Sequence, residues 1–172
     1  MFRIGDDNFA AETAPDAGWI EVAVPHTWNT NPHTADYAGV AWYRKKFVAP
    51  QSWAGKTVRI EFEAVYHTAK VFVNGKPAGE HVKKGYTAFA FDISALLKPG
   101  AENTIAVRVD ADPMEGWWYE GAGIYRHTWL AKRDQVHVIT DGVYCNPVQN
   151  AGGAWTVPIE VTLESCAKDA AF

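Results

Sequence analysis

Thr57-Val58-Arg59-Ile60-Glu61-Phe62-Glu63 alternates apolar and charged residues without a break. Val58, Ile60 and Phe62 fall on one side, and Arg59, Glu61 and Glu63 on the other. A period of two is the mark of a strand with one buried and one wet face. Working outward, Ile105, Val107 and Val109 repeat the pattern in Thr104 to Asp110. Trp42 to Val48 and Ile124 to Leu130 read as further, aromatic strands. Ala69 to Val73 runs through Asn74-Gly75 into Lys76 to Glu80, and Asn-Gly tolerates the positive φ angles of a two-residue hairpin. Helical periodicity is confined to Asp92 to Lys98, which reads as one turn with a Ser or Asp cap and a Pro99-Gly100 stop. Many short strands separated by turn signals predict an all-β sandwich or jelly roll.

A boundary is expected at Lys132-Arg133-Asp134, giving a jelly-roll unit over 1–132 and a second unit over 133–172. Val136 to Thr140, Val143 to Cys145 and Trp155 to Leu163 read as strands of that second unit, around a Gly152-Gly153 turn. The tail is too short for an independent domain, since chains below ~40 residues seldom fold alone. It either packs on the first unit or opens a second, truncated sandwich.

Composition narrows the function. The chain has 172 residues, 48% of them hydrophobic, and a formal net charge of -4. Nucleic-acid binding needs a concentrated basic face, which this balance does not provide. The basic run Arg44-Lys45-Lys46 reads as solvated surface, although Arg44, like Arg126, is also a candidate to brace strands through buried hydrogen bonds. No stretch approaches the ~20 apolar residues of a membrane span. The polar start, Phe2 to Asp7, is not a secretory signal, so a periplasmic or secreted location would require a signal upstream of Met1. Cys145 and Cys166 form no CxxC motif, and their pairing is open.

Catalytic motifs are not found: no GxSxG, HExxH, Walker loop or GxGxxG occurs. The six histidines show no metal-ligand spacing, so neither a metal nor another cofactor is expected. Among the acids, Asp36, Asp110, Asp112, Glu115 and Glu120 include no pair marked out for the two-carboxylate work of glycoside hydrolysis. The chain is rich in aromatics, with eight Trp, seven Tyr and eight Phe. They suit strands and sandwich cores, Trp28, Trp42 and Trp53 among them, and they also suit stacking on sugars. The most distinctive segment runs from Asp112 to Arg126 and holds Trp117-Trp118-Tyr119 on a loop before Gly121-Ala122-Gly123. Three adjacent aromatics cannot all face one core, so at least one meets solvent or a partner.

Several segments, in order, carry a family resemblance: Val24-Pro25-His26-Thr27-Trp28-Asn29, Asp36 to Lys45, Val71-Phe72-Val73-Asn74-Gly75, Gly85-Tyr86-Thr87-Ala88-Phe89, Phe91-Asp92-Ile93, Asn103 to Val109 and Gly121-Ala122-Gly123-Ile124-Tyr125-Arg126. Over residues 2–132 the chain resembles the N-terminal sugar-binding domain of glycoside hydrolase family 2, which includes β-galactosidases, β-glucuronidases and β-mannosidases. The tail resembles the opening strands of that family's immunoglobulin-like second domain.

The resemblance implies a galactose-binding-like jelly roll that works beside a catalytic (β/α)8 barrel. Both catalytic glutamates would lie on that barrel, downstream of this chain, so none of its own residues is expected to be catalytic. It also implies that the loop before Gly-Ile-Tyr-Arg reaches the barrel's site, where relatives use an aspartate. Trp117 stands at the matching position, which permits stacking in place of that polar contact. Thr27 likewise stands where an acid is common.

The expected sugar contacts are Trp117, Trp118 and Tyr119, with Asn31, His33, Asp36 and Tyr37 from a second loop. Three readings follow. The chain is an accessory domain of a galactosidase-like retaining enzyme, or a freestanding carbohydrate-binding module using the same aromatics, or a structural domain that assembles through open strand edges of its tail. Edge pairing would make it a homo-oligomer.

Overall fold

The computed structural model describes residues 1–7, 9–10, 15–112 and 121–165. Eight strands build two facing antiparallel sheets: β1 (Phe2–Ile4), β2 (Val40–Val48), β3 (Thr57–Phe62), β4 (Thr68–Val73), β5 (Lys76–His81), β6 (Phe89–Asp92), β7 (Glu102–Asp110) and β8 (Thr128–Arg133). One sheet has the order β1-β2-β7-β4-β5 and the other β6-β3-β8. The chain crosses between sheets repeatedly, as a jelly-roll sandwich requires.

Alternation places the core. Val58, Ile60 and Phe62 of β3 are buried against Val71 and Val73 of β4 and Val107 and Val109 of β7. Each such side chain contributes roughly 1.5–3 kcal/mol when fully buried. Trp28 is fully enclosed in this core. Trp42 points the other way, into a second cluster with Phe9, Ala10, Trp19 and Ala106 on the outside of the larger sheet. Trp53 is only partly buried, beside Phe47.

The hairpin between β4 and β5 turns at Asn74 (φ 51°) and Gly75 (φ 77°), the two positive angles its sequence suggested. Pro77 falls on β5, the outermost strand of its sheet, where a missing N–H costs no ladder bond. The predicted helical turn is a 3-10 turn, Ser94–Leu96. Asp92 Oδ1 accepts from the Ser94 N–H at 2.8 Å, so the aspartate provides its turn-starting bond.

Three expectations need correction. The strand read from Ile124 begins only at Thr128, because Ile124 and Gly123 are held by lateral bonds to His26 and Tyr66 instead of a continuous ladder. Arg44 is buried, not solvated. Its Nη2 donates to Pro15 O at 3.2 Å and to the Asp16 carboxylate, and the guanidinium lies 4.3 Å from the Trp19 ring centroid. Arg126 is the reverse, largely exposed and bonded through Nε to Glu63 Oε2 at 3.2 Å.

Beyond Arg133 the chain forms a long hairpin. β9 (Val136–Cys145) pairs with β12 (Ile159–Ser165), and β10 (Val148–Gln149) with β11 (Trp155–Thr156). The two tail strands expected before Cys145 are thus one, with a register shift where Asp141 takes φ 57°. The expected Trp155 to Leu163 strand is split at Val157-Pro158. The hairpin joins neither sandwich sheet. It touches the smaller sheet through Thr140 Oγ1 to Glu61 Oε1 (3.1 Å) and Lys56 Nζ to Asp134 Oδ1 (2.5 Å). Cys145 is exposed; Cys166 lies outside the described residues.

Candidate functional site

Backbone bonds gather several loops at one end of the sandwich. The His26 N–H donates to Ile124 O at 2.7 Å and the Trp28 N–H to Ala122 O at 3.1 Å. Asn29 Oδ1 accepts from the Ala122 N–H at 2.8 Å, and its Nδ2 donates to Ala35 O at 2.8 Å. The Ala111 N–H donates to Gly39 O at 3.0 Å. Thus Ala111 and Ala122, on either side of residues 113–120, are both fastened to the segment 28–39. Trp117, Trp118 and Tyr119 lie outside the described residues, but the positions on either side of their loop are fixed here.

Gly123 explains one glycine of the motif. Its φ is +126°, and a Cβ would sit 2.5 Å from Tyr43 Oη and 2.6 Å from His26 O. No other residue fits without displacing the corner. The His26 ring Nδ1 meets Tyr43 Oη at 2.7 Å. Burial lowers the His26 pKa, so the neutral ring is favoured and packs on Phe2 at 4.9 Å between centroids.

The second predicted loop is present at this end. Asn31, His33 and Asp36 are exposed. Asn31 Oδ1 accepts from the His33 N–H at 3.0 Å, which shapes the turn. Tyr37 is half-buried. Its hydroxyl donates to Val40 O at 2.8 Å, and burial pushes its pKa up. Its ring lies against Trp28, whose indole N–H donates to Tyr37 O at 3.0 Å. Asn31, His33 and Asp36 are therefore open to a ligand, whereas Tyr37 is tied into the scaffold.

Tyr66, His67 and Tyr86, near the same end, were not among the expected sugar contacts. Tyr66 and Gly123 exchange backbone bonds at 3.0 and 3.1 Å, which brings buried His67 alongside, its N–H donating to Asp110 O at 3.3 Å. Tyr86 is exposed and packs edge-on against Tyr66 at 5.8 Å. The pairing of residue 66 with residue 123 is a tertiary fact with no local sequence signal. Among the described residues no group of three or more His, Cys, Asp or Glu is placed to hold a metal ion.

A separate cleft of about 460 Å³ opens between the sheets, lined by Val22, Ile60, Phe62, Ile105, Val107 and Leu130 among others. This lining is mostly apolar, with Tyr43, Arg44, Lys45, Thr128 and Trp129 also on it.

The residues thus build a two-layer β-sandwich with several loops collected at one end. Residues 8–134 match the family model for the sugar binding domain of glycosyl hydrolases family 2, and the chain belongs to that family. It is 39% identical over 156 residues to the β-galactosidase BoGH2A of Bacteroides ovatus, covering 83% of this chain and 18% of that one. It is 44% identical over 130 residues to a β-galactosidase of Thermoanaerobacter pseudethanolicus, covering 68% and 17%. The structure of Bacteroides uniformis β-glucuronidase 2 superposes with a TM-score of 0.85 at 32% identity, covering 96% of this chain and 21% of that one. The chain spans less than a fifth of the length of these two curated relatives.

Proposed function

We propose that this chain is the non-catalytic N-terminal domain of a β-galactosidase-like family 2 glycoside hydrolase that cleaves terminal β-glycosidic bonds. It narrows the mouth of an active site whose acid/base and nucleophile lie on a (β/α)8 barrel of the parent protein. Trp117, Trp118 and Tyr119 stack on the sugar from one loop, and Asn31, His33 and Asp36 hydrogen-bond to it from the other, with Tyr37 holding that loop in place. Residues 1–132 act as the sugar-facing unit, and 133–172 open an immunoglobulin-like domain that the parent completes. The observation that carries the reading is the fastening of Ala111 and Ala122, the residues flanking 112–121, to the segment 28–39. It supports a reading in which the two expected sets of contacts act together.

The test is made in the parent enzyme. Trp117→Ala is expected to raise KM for an aryl β-galactoside about tenfold with a smaller change in kcat, as loss of a stacking contact made in ground and transition states alike. Unchanged kinetics would remove the loop from the site. Turnover of the aryl glycoside by the 172-residue chain alone would overturn the non-catalytic assignment.

A second reading, self-assembly through the tail, is favoured by one observation. Val138, Val143, Ile159, Val161 and Leu163 are all exposed on the β9–β12 hairpin.

A further inference from the structure

The outer face of the β6-β3-β8 sheet carries an aromatic group that the loop site does not use. Trp129 on β8 is 56% exposed and stands opposite Glu61 of β3. Its indole N–H donates to Glu63 Oε1 at 3.4 Å. Glu63 Oε2 meets His127 Nδ1 at 3.2 Å and accepts from Arg126 Nε at 3.2 Å. The His127 ring stacks on the indole, with centroids 5.8 Å apart and planes at 28°. These donors hold the Glu63 carboxylate down at a pKa of about 2, with the His127 bond the largest cause. One carboxylate therefore orients an indole, an imidazole and a guanidinium on one patch. Such fixing removes part of the ordering cost of binding.

The surroundings identify the kind of ligand. Alternation along the three strands also puts Arg59, Glu61, Asp92 and Arg133 on this face, where Glu61 and Arg133 bond Thr140 of the hairpin and Arg59 pairs with Glu164. The core of a protein–protein interface is depleted in charge. One flat ring in a field of oriented charged groups instead suits a polyhydroxylated ligand. The negative face of the indole attracts the C–H face of a pyranose. Arg126 and His127, each with a 60% exposed side chain, stand beside the ring. The guanidinium carries five N–H donors, and among the described residues Nε bonds Glu63.

We propose that Trp129, framed by Arg126 and His127 and oriented by Glu63, is a second carbohydrate-binding surface that stacks one pyranose ring and bonds its hydroxyl or carboxylate groups. It lies on a sheet face, uses none of the residues assigned to the loop site, and does not depend on what reaction the parent protein performs.

The test follows indole N–H correlations by NMR in the isotope-labelled 172-residue chain. Trp129→Phe identifies the Trp129 signal by its loss and retains a stacking ring. Methyl β-galactoside and methyl β-glucuronide are titrated separately. The Trp129 signal should move saturably with at least one of them. Trp129→Ala should weaken that binding at least about tenfold, and Trp129→Phe less. Melting temperatures should change little, because the ring is exposed. Saturable binding that leaves the Trp129 signal still, binding unchanged in Trp129→Ala, or no binding of either sugar would each overturn the proposal. Trp117→Ala should leave this binding intact, which separates it from the loop site.

Discussion

Asn103 has no solvent exposure, yet its side-chain amide is fully engaged. Its Oδ1 accepts from the Lys98 N–H and from Asn74 Nδ2, both at 2.8 Å. Its Nδ2 donates to Lys98 O at 3.0 Å and to Ala101 O at 2.9 Å. Alanine there would remove all four of these bonds from a closed space. Asn103→Ala should cost about 2–4 kcal/mol, read by denaturant unfolding. Glu63 offers a titration at the same scale. Its ordinary value of 4.5 is lowered to about 2, chiefly by the His127 bond. A depressed carboxylate contributes its stability above the unfolded value and loses it as pH falls through the folded one. Glu63→Gln should therefore melt lower than the parent at neutral pH, with the two curves converging between pH 4.5 and about 2. A constant gap across that range would show that Glu63 acts through shape and not charge. Neither role was legible beforehand. Arg44 shows the difficulty: its sequence fits both a solvated basic run and a buried brace, and the remote Pro15–Trp19 segment packed on it decides for the brace.

Strand alternation and turn chemistry are local, and at the scale of elements they were read well. Thr57 to Phe62 and Glu102 to Asp110 lie as β3 and β7 where their periodicity put them. Where tertiary bonds compete, the reading failed, as at Ile124 to His127, which pattern like a strand but are drawn aside by His26 and Tyr66. The β4–β5 turn permits a direct test. Gly75 at φ 77° follows Asn74 at φ 51°, and the Asn74 side chain is already bonded to Leu96 O and Asn103 Oδ1, both at 2.8 Å. Gly75→Ala places a Cβ on a left-handed backbone, at about 1–2 kcal/mol. The melting temperature should fall by roughly 2–8 °C. A shift within error would mean that the turn relaxes to another type. At the candidate site, motif order pointed to two segments, while bonds such as Ala111 to Gly39 join residues far apart in sequence that no local pattern encodes.

At the scale of the whole molecule the two parts differ in how they bury apolar surface. The sandwich encloses its core between two sheets, while the hairpin has two strands and no covering layer among the described residues. Pairing sets Val143 against Val161 and Val138 against Leu163. With Ile159 opposite Cys145, these residues line one face, and all of them are exposed. A two-stranded ribbon is marginal by itself in water, and a bare aliphatic face favours association. The 172-residue chain should therefore self-associate in a concentration-dependent way in analytical ultracentrifugation. Removing residues 135–172 should leave a monomer that keeps the cooperative unfolding of the sandwich. Val161→Asp should do the same without truncation, because a charge on that face must be desolvated for the layers to meet. Association that survives both changes would place the contact on the sandwich, with the free edge of β5 the first place to look.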